Sequence, residues 1–476
     1  MWATEDAGAS EVRTSRDHSY STVTPAASSV YDSLYWHFAT LTGLAAGTAY
    51  RYRTYTGGSD VTPWPEITFT TAPAITETAF TFVAFGDSRP ASASALPSQG
   101  ALDVAAELAR QSFDLAIHVA DIVNSGGICS GADSAWKQYI RAYYDVYVGS
   151  TGHTPFYLSV GNHELSGGTC GYQAYTEVYA LPANAPAGQE ERYYSFDWGN
   201  AHLIALDTTQ SYVAGSVQHN WLLDDLEASH SPWTFVYFHH PAYSSGAHGS
   251  TALVQQHLVP VFEAYGVDVV LNGHDHHYER TCPILDGACT TTEAGGVIYY
   301  VAGGGGAPLR SASGDWFTAY SDSLYHFVKV EVSDCQVSLQ SIDTEGTVFD
   351  SAAIGNCPTA VRLASLSAAV QGDAVRVEWK SAIEVDLLGY HLYRGESLNG
   401  EYVRLNTSLI PGQGVGSLFG ARYDWVDRDI RPETSYTYRL ESVSVLGTRT
   451  SHGPVRVSVG ELVPYTVYLP VVSAEP

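Results

Sequence analysis

Between residues 80 and 301 the chain repeats one pattern: a short, mostly apolar run, an abrupt polar stop, then a longer stretch with apolar positions three and four apart. The apolar runs occupy 80–85, 115–119, 156–160, 201–206, 233–238, 267–271 and 297–301. Runs of that length without polar alternation predict strands buried on both faces. Segments 100–111, 134–144, 216–227 and 251–264 carry the helical period instead. Strands alternating with helices predict an α/β core for the middle of the chain.

On either side the period changes to two. Residues 1–74 hold alternating runs at 35–38 and 49–55, with turn signals at Gly43, Gly47, Gly57 and Gly58. Residues 358–460 do the same, and the two regions repeat one another: Leu44, Thr48, Tyr50 and Tyr52 have the spacing of Ile430, Thr434, Tyr436 and Tyr438. A tyrosine so placed is expected at a sandwich corner, its hydroxyl tied back to the chain. Both flanks resemble fibronectin type III-like β-sandwiches. The expected organisation is a sandwich at 1–74, a central domain at 75–357, a second sandwich at 358–460 and a tail at 461–476. Trp379 follows a full strand's worth of chain, whereas its counterpart Trp2 has only Met1 before it. The first sandwich is therefore expected to lack its first strand and to leave an edge open. The apolar stretch 463–472 reads either as a closing strand or as a sorting or anchoring tail.

Composition narrows the class of partner. A formal net charge of −27 repels nucleic acid and anionic membrane surfaces, so neither is an expected partner. It also means that an anionic substrate needs metal ions to invert the field locally. No apolar stretch approaches the roughly 18 residues of a membrane helix, and Met1 runs directly into a polar segment without a signal peptide. The cysteines point the other way. There are six, at 129, 170, 282, 289, 335 and 357, with no Cys-x-x-Cys pair. An even count suggests disulfides in an oxidising compartment, and pairing of sequence neighbours is expected: Cys129 with Cys170, Cys282 with Cys289, Cys335 with Cys357. A secreted protein whose chain begins late reconciles the two.

Candidate chemistry gathers where the apolar runs stop. Run 80–85 ends in Gly86-Asp87-Ser88-Arg89, run 115–119 in Ala120-Asp121-Ile122-Val123-Asn124, and run 156–160 in Gly161-Asn162-His163-Glu164. Run 233–238 ends in His239-His240-Pro241, and run 267–271 in Asn272 and the octet 273–280, which contains His274 and His276. Each has a plain explanation alone, as a helix cap, a turn or a core histidine. Five strand ends all delivering Asp, Asn or His are hard to attribute to chance. Two carboxylates, an amide oxygen and three imidazoles form a mixed oxygen and nitrogen set that suits zinc, manganese or iron rather than calcium. Such a set is too large for a three-ligand catalytic zinc site and fits two metals sharing a carboxylate.

The segment 80–330 resembles the calcineurin-like metallophosphoesterases, and the sandwich before it points to the purple acid phosphatase branch. The resemblance implies a core of two β-sheets sandwiched by helices, two divalent or trivalent metal ions (Fe, Zn or Mn), and hydrolysis of a small phosphorylated substrate by a metal-bridging hydroxide. By that resemblance Asp121 bridges, Asp87 and His276 hold the first metal, and Asn162, His239 and His274 hold the second. His163 is then the general acid with Glu164 as its supporting partner, and His248 lies near the substrate.

Departures from the family pattern sharpen the expectation. Asn124 stands where the purple enzymes carry a metal-bound tyrosine, so a colourless site is expected, with the Asn124 amide oxygen as an added ligand of the first metal. Arg89 replaces a histidine used by other members. It reads either as a phosphate-binding group or as a neutraliser of a nearby carboxylate. The glycines at 303–306 read either as a close backbone approach or as a plain turn. Rival functions are a phosphodiesterase or nucleotidase with the same metals, and an adhesin-like binding protein with a degenerate enzyme domain. Cell-surface or carbohydrate contact is expected of the sandwiches.

Overall fold

The structure, a computed structural model, describes residues 2–460 apart from 32–33, 63–66, 75–77, 149–153, 230, 334–335, 356–361, 385–386, 398–399, 414–420, 445–446 and 448. The chain forms two compact units, residues 1–355 and 356–476. The first sandwich and the central domain thus share one unit. The Cys335–Cys357 pairing and the tail 463–472 lie outside the described residues.

Two sheets make the centre of the first unit. One runs in the order Phe156–Leu158, Leu115–His118, Ala79–Phe85, His326–Ser333, Gln336–Asp343, Val348–Ile354. Its first three strands are parallel and the rest antiparallel. The other runs Tyr194–Trp198, Ala201–Ala205, Trp233–Tyr237, Val269–Asn272, Ile298–Ala302, Tyr278–Thr281, Thr318–Asp322, with a parallel block from Ala201–Ala205 to Ile298–Ala302.

Side-chain parity explains why these strands read as largely apolar runs. Phe80, Phe82 and Ala84 point into the layer between the sheets, where they meet Leu203, Phe235, Val269 and Leu271. Val83 and Phe85 point the opposite way, toward the helical layer with Val104 and Leu108 of helix Gln99–Leu108. On the second sheet Val236, Phe238 and Val270 pack against Leu222 and Leu226 of helix Val217–Ala228 and Phe262 of helix Val259–Tyr265. Both faces of each strand lose water, so apolar residues dominate at both parities. The core is a helix, sheet, sheet, helix sandwich, the α/β architecture that the pattern predicts.

One helix departs from expectation. The period over 134–144 predicts a single helix, but Ala135–Tyr139 passes into a π-helical stretch, Ile140–Val148. Tyr139, Tyr143 and Tyr147 are all buried here. Tyr143 meets Tyr179 edge-on at 5.3 Å, and Tyr147 lies 5.0 Å from Phe85. Seating three large rings against one sheet face gives a tertiary reason for a wider helix that local periodicity does not carry.

The flanking β-regions repeat one device. The Tyr50 hydroxyl accepts from the Ala45 amide at 3.0 Å and the Tyr436 hydroxyl from the Arg431 amide at 2.9 Å, five residues upstream in both cases. Residues 2–74 form a three-stranded sheet with Trp2–Thr4 at its edge beside Leu34–Phe38, and a five-stranded sheet centred on Ser10–Ser15 and Ala49–Thr56. The second unit likewise has a three-stranded and a five-stranded sheet. Between them pack Val377 and Trp379 from one, Tyr390 and Leu392 from the other. Within the first unit the Ser29 hydroxyl donates to Glu177, and Trp36 meets Trp136 at 6.3 Å.

Candidate metal centre

Parallel strands end on the same side, so five of them deliver their following residues to one edge of the sandwich. The backbone there is strained: Asp87, Ala120, Asp121 and His274 all have positive φ, at 56°, 77°, 55° and 71°. L-residues rarely adopt this region, and such departures concentrate at functional sites. Each turns the chain sharply, so that a side chain leaving the strand points back across the gap between the sheets.

The result is a buried cluster. Ligand-capable atoms of Asp87, Asp121 and His239 lie within 4.8 Å of one another. Asp121 Oδ2 is 3.3 Å from His239 Nε2. That nitrogen donates to Asn162 Oδ1 at 3.1 Å and lies 3.2 Å from His274 Nδ1. On the other side His276 Nε2 is 3.5 Å from Asp87 Oδ1. Six of the sequence-selected residues therefore fall into two groups, Asn162, His239 and His274 in one, Asp87 and His276 in the other, with Asp121 against the first.

Second bonds aim each ring. His239 Nδ1 donates to the Val119 carbonyl at 3.0 Å and His276 Nδ1 to the Pro308 carbonyl at 2.8 Å, which turns Nε2 of both toward the carboxylates. His163 Nδ1 donates to the Asn124 carbonyl at 2.7 Å, leaving Nε2 3.9 Å from Asp121 Oδ2 and partly open to solvent. Glu164, the expected support of His163, forms no hydrogen bond to that ring. Its carboxylate accepts instead from the amides of Asp121, Ile122 and Gly161 at 3.0, 2.8 and 2.9 Å, and so clamps the backbone that presents Asp121. Nor is the Asn124 carboxamide directed at the cluster. Its Nδ2 donates to the Pro90 carbonyl and its Oδ1 accepts from Ser125 Oγ, both at 3.1 Å.

The remaining candidates line the mouth. Arg89 Nε stands 3.8 Å from Asp121 Oδ2. His248 is exposed and stacks on His274 with ring centroids 4.2 Å apart. Gly303 is a close approach rather than a plain turn: a Cβ there would collide with the Asp275 carbonyl oxygen and lie 2.9 Å from Asp87 Oδ2. Two residues that the sequence pattern does not single out, Asp275 and Arg310, also belong here. Asp275 is fully buried, with Arg310 Nη1 3.8 Å from its Oδ1. The residue types carry no signal for either, because their roles depend on a loop folded over from residues 244–250.

Charge explains the titration behaviour. Burial alone raises Asp87, and the Asp121 charge adds to it. Burial also opposes ionisation of Asp121, but His239 and His163 outweigh it and hold that carboxyl below its usual range. For His239, burial disfavours charge yet the Asp121 and Asp87 carboxylates push it up to about 10. Burial pulls His276 down to about 4 and, with its histidine neighbours, His274 down to about 2. Two neutral imidazoles beside a dense carboxylate pair are what a cation needs. Asp87 Oδ1 is buried without any hydrogen bond, a polar atom whose natural partner is a metal ion. The donor set fits metal binding.

Residues 95–278 match the family model of the calcineurin-like phosphoesterases. The chain carries a calcineurin-like phosphoesterase domain. Over 138 residues it is 34% identical to purple acid phosphatase 15 of Arabidopsis thaliana, covering 28% of this chain and 26% of that protein. Over 201 residues it is 30% identical to the same plant's probable inactive purple acid phosphatase 1, covering 37% and 31%. The chain thus spans less than a third of the length of these relatives. Over 74% of its length the chain shares its fold with purple acid phosphatase PPD1 from yellow lupin seeds, TM-score 0.63 at 21% identity over 70% of that chain. A PhoD structure follows at TM-score 0.55 and 14% identity, covering 87% of each chain.

Proposed function

We propose that this protein hydrolyses phosphate monoesters with the help of two bound metal ions. The observation that carries the reading is the convergence of Asp87, Asp121 and His239 around the unsatisfied Asp87 Oδ1, with Asn162, His274 and His276 aimed at the same space. In this reading Asp121 with Asp87 and His276 would hold one ion, and Asp121 with Asn162, His239 and His274 would hold the other. The ions supply Lewis-acid activation of water and charge neutralisation at phosphorus.

The chain's own groups do the rest. His163, oriented through Nδ1 by the Asn124 carbonyl and open toward solvent at Nε2, protonates the departing alcohol. Burial lowers its pKa, which makes it a better proton donor in its charged form. His248 covers the cluster and contacts the ester group, and the Asn124 side chain takes no part in metal binding. Two disulfides, Cys129–Cys170 and Cys282–Cys289, suit an oxidising compartment outside the cytosol.

The test is turnover of p-nitrophenyl phosphate against bis-p-nitrophenyl phosphate by the full chain loaded with Mn²⁺ or Zn²⁺. Monoester preference with loss of activity in Asp121→Ala is expected. Diester preference would reassign the protein to the phosphodiesterases, and absence of turnover on both would leave a binding protein.

A further inference from the structure

The loop 244–250 crosses the octet 273–280 and is fastened to it by two carboxylates, Asp275 and Glu279, both fully buried. Asp275 stands between His274 and His276. Its Oδ2 accepts from the Ser244 hydroxyl at 2.6 Å and the Gly249 amide at 3.2 Å, and its Oδ1 accepts from the His248 amide at 2.9 Å. Arg310 Nη1 pairs with the same Oδ1 at 3.8 Å. Glu279 accepts from the Ser245 amide at 2.7 Å and from the Thr318 hydroxyl. Between these anchors the loop lies flat on the octet: a Cβ at Gly246 would come 2.7 Å from Asp275 Cγ and 2.5 Å from His277 Cε1.

Away from the octet the loop is closed on itself and braced. The Ser250 hydroxyl accepts from the Ser244 amide at 3.1 Å and ties the two ends, and the Gly314 amide donates to the Ser245 hydroxyl at 3.0 Å. A buried carboxylate is costly unless it is hydrogen-bonded, and the three donors that satisfy Asp275 all come from the loop. Lifting the loop would strip them away together and leave Arg310 as the remaining partner. Closure of the loop and satisfaction of the carboxylate are therefore one event, which makes the loop a fixed roof. What it fixes is His248. The ring belongs to the residue whose amide Asp275 holds, and it stacks on His274 with centroids 4.2 Å apart and planes at 28°.

Resting on the phosphoesterase reading above, we propose that Asp275 is a positioning residue of this site: through the 244–250 loop it holds His248 over the metal centre, where the ring meets the phosphate ester. Asp275 itself takes no part in binding metal or substrate, because both its oxygens are engaged by the loop. The roof over the centre and two of the histidines beneath it are thus set from one stretch, 274–276, and keep their spacing without reordering when substrate arrives. Stiffening the octet for His274 and His276 is the competing duty, and it does not pass through His248.

Asp275→Asn and Ser244→Ala in the metal-loaded full chain, each with and without His248→Ala, test this by kcat/KM on p-nitrophenyl phosphate, calorimetric binding of inorganic phosphate, metal content and amide hydrogen exchange across 244–250. Asp275→Asn keeps one acceptor and turns an N–H group toward the Ser244 hydroxyl and the Gly249 amide. It is expected to retain the metal content of the unsubstituted protein, to speed exchange at 248 and 249 about 10-fold, and to lower kcat/KM and phosphate affinity about 10-fold each. In the His248→Ala background the same substitution should cost less than about 3-fold, since the group it positions is already gone. Ser244→Ala should act in the same direction to a smaller degree, and it decides by the same readouts if Asp275→Asn does not fold or loses a metal ion. Unchanged exchange in the loop, or losses that multiply in full in the double variant, would overturn the proposal. If the unsubstituted protein turns over no ester, the phosphatase reading falls, and the phosphate affinities of the same variants decide whether Asp275 acts through His248; absence of phosphate binding as well would overturn both.

Discussion

Adding one methyl group at Gly273 should dismantle the metal centre. A Cβ at that position would overlap Asp87 Oδ2, well inside the 3.0 Å that real Cβ atoms keep, and would lie 3.1 Å from the Val119 carbonyl oxygen and Cγ2. Ordinary contact begins at 3.4 Å, so the carboxylate would have to retreat by roughly 1 Å. It has nowhere to go. Asp87 is fully buried, its own backbone is held at φ 56°, and the oxygen in question accepts from the His274 amide at 2.8 Å. Metal sites tolerate ligand displacements of about 0.2 Å, a small fraction of what the methyl demands. Overpacking of this kind costs about 1–3 kcal/mol in stability, and misplacing a ligand costs about 10–100-fold in metal affinity. Gly161→Ala makes the same test from the other carboxylate, since its Cβ would overlap Asp121 Oδ1 and lie 2.9 Å from Glu164 Oε2. Titration of Mn²⁺ or Zn²⁺ by calorimetry, alongside urea unfolding, measures both effects. Wild-type metal affinity in Gly273→Ala would refute the argument that these glycines exist to let the carboxylates in.

Glu164→Gln replaces one of the oxygens that receive the amides of Asp121, Ile122 and Gly161 by an N–H donor. A loss of about 1–3 kcal/mol in denaturant unfolding is expected, and unchanged stability would deny the clamp. Asn124→Ala should leave two metals per chain by elemental analysis, because its carboxamide is engaged with Pro90 and Ser125 and its tie to His163 is through the backbone; loss of one metal would restore it as a ligand. His202 sits between Asp197 and Asp225, at 2.7 and 2.9 Å. Burial disfavours its charge, but the two carboxylates outweigh that and raise its pKa above the ordinary 6.5. A raised value means the imidazolium stabilises the fold fully below pH about 6.5 and ceases to as pH climbs through the raised value. Asp197 is 60% exposed, so the effect is on the order of 1 kcal/mol. His202→Leu should therefore cost more at pH 6 than at pH 9 by urea unfolding, and equal costs at both would contradict the assignment.

Much of this protein is legible in its amino-acid sequence. Burial on both faces favours a largely apolar run, so the strands that carry the site announce themselves, and their polar stops name Asp87, Asp121, Asn162, His239, His274 and His276. The two corner tyrosines, Tyr50 and Tyr436, are legible for a similar reason: the tie to a backbone amide five residues back is a local constraint that spacing records. Roles set across long separations are not legible. Glu164 neighbours His163 in sequence yet serves Asp121, Ile122 and Gly161, because hydrogen bonding follows where the chain turns and not which residue is adjacent. Asn124 has a ligand's residue type but spends its side chain on Pro90 and Ser125. Asp275 acquires its role only when the 244–250 loop folds over the octet and brings the Ser244 hydroxyl and the His248 and Gly249 amides to its carboxylate. Periodicity and strand-end chemistry are properties of consecutive residues, whereas the allocation of donors to acceptors inside a dry site depends on which distant segments the two sheets bring together.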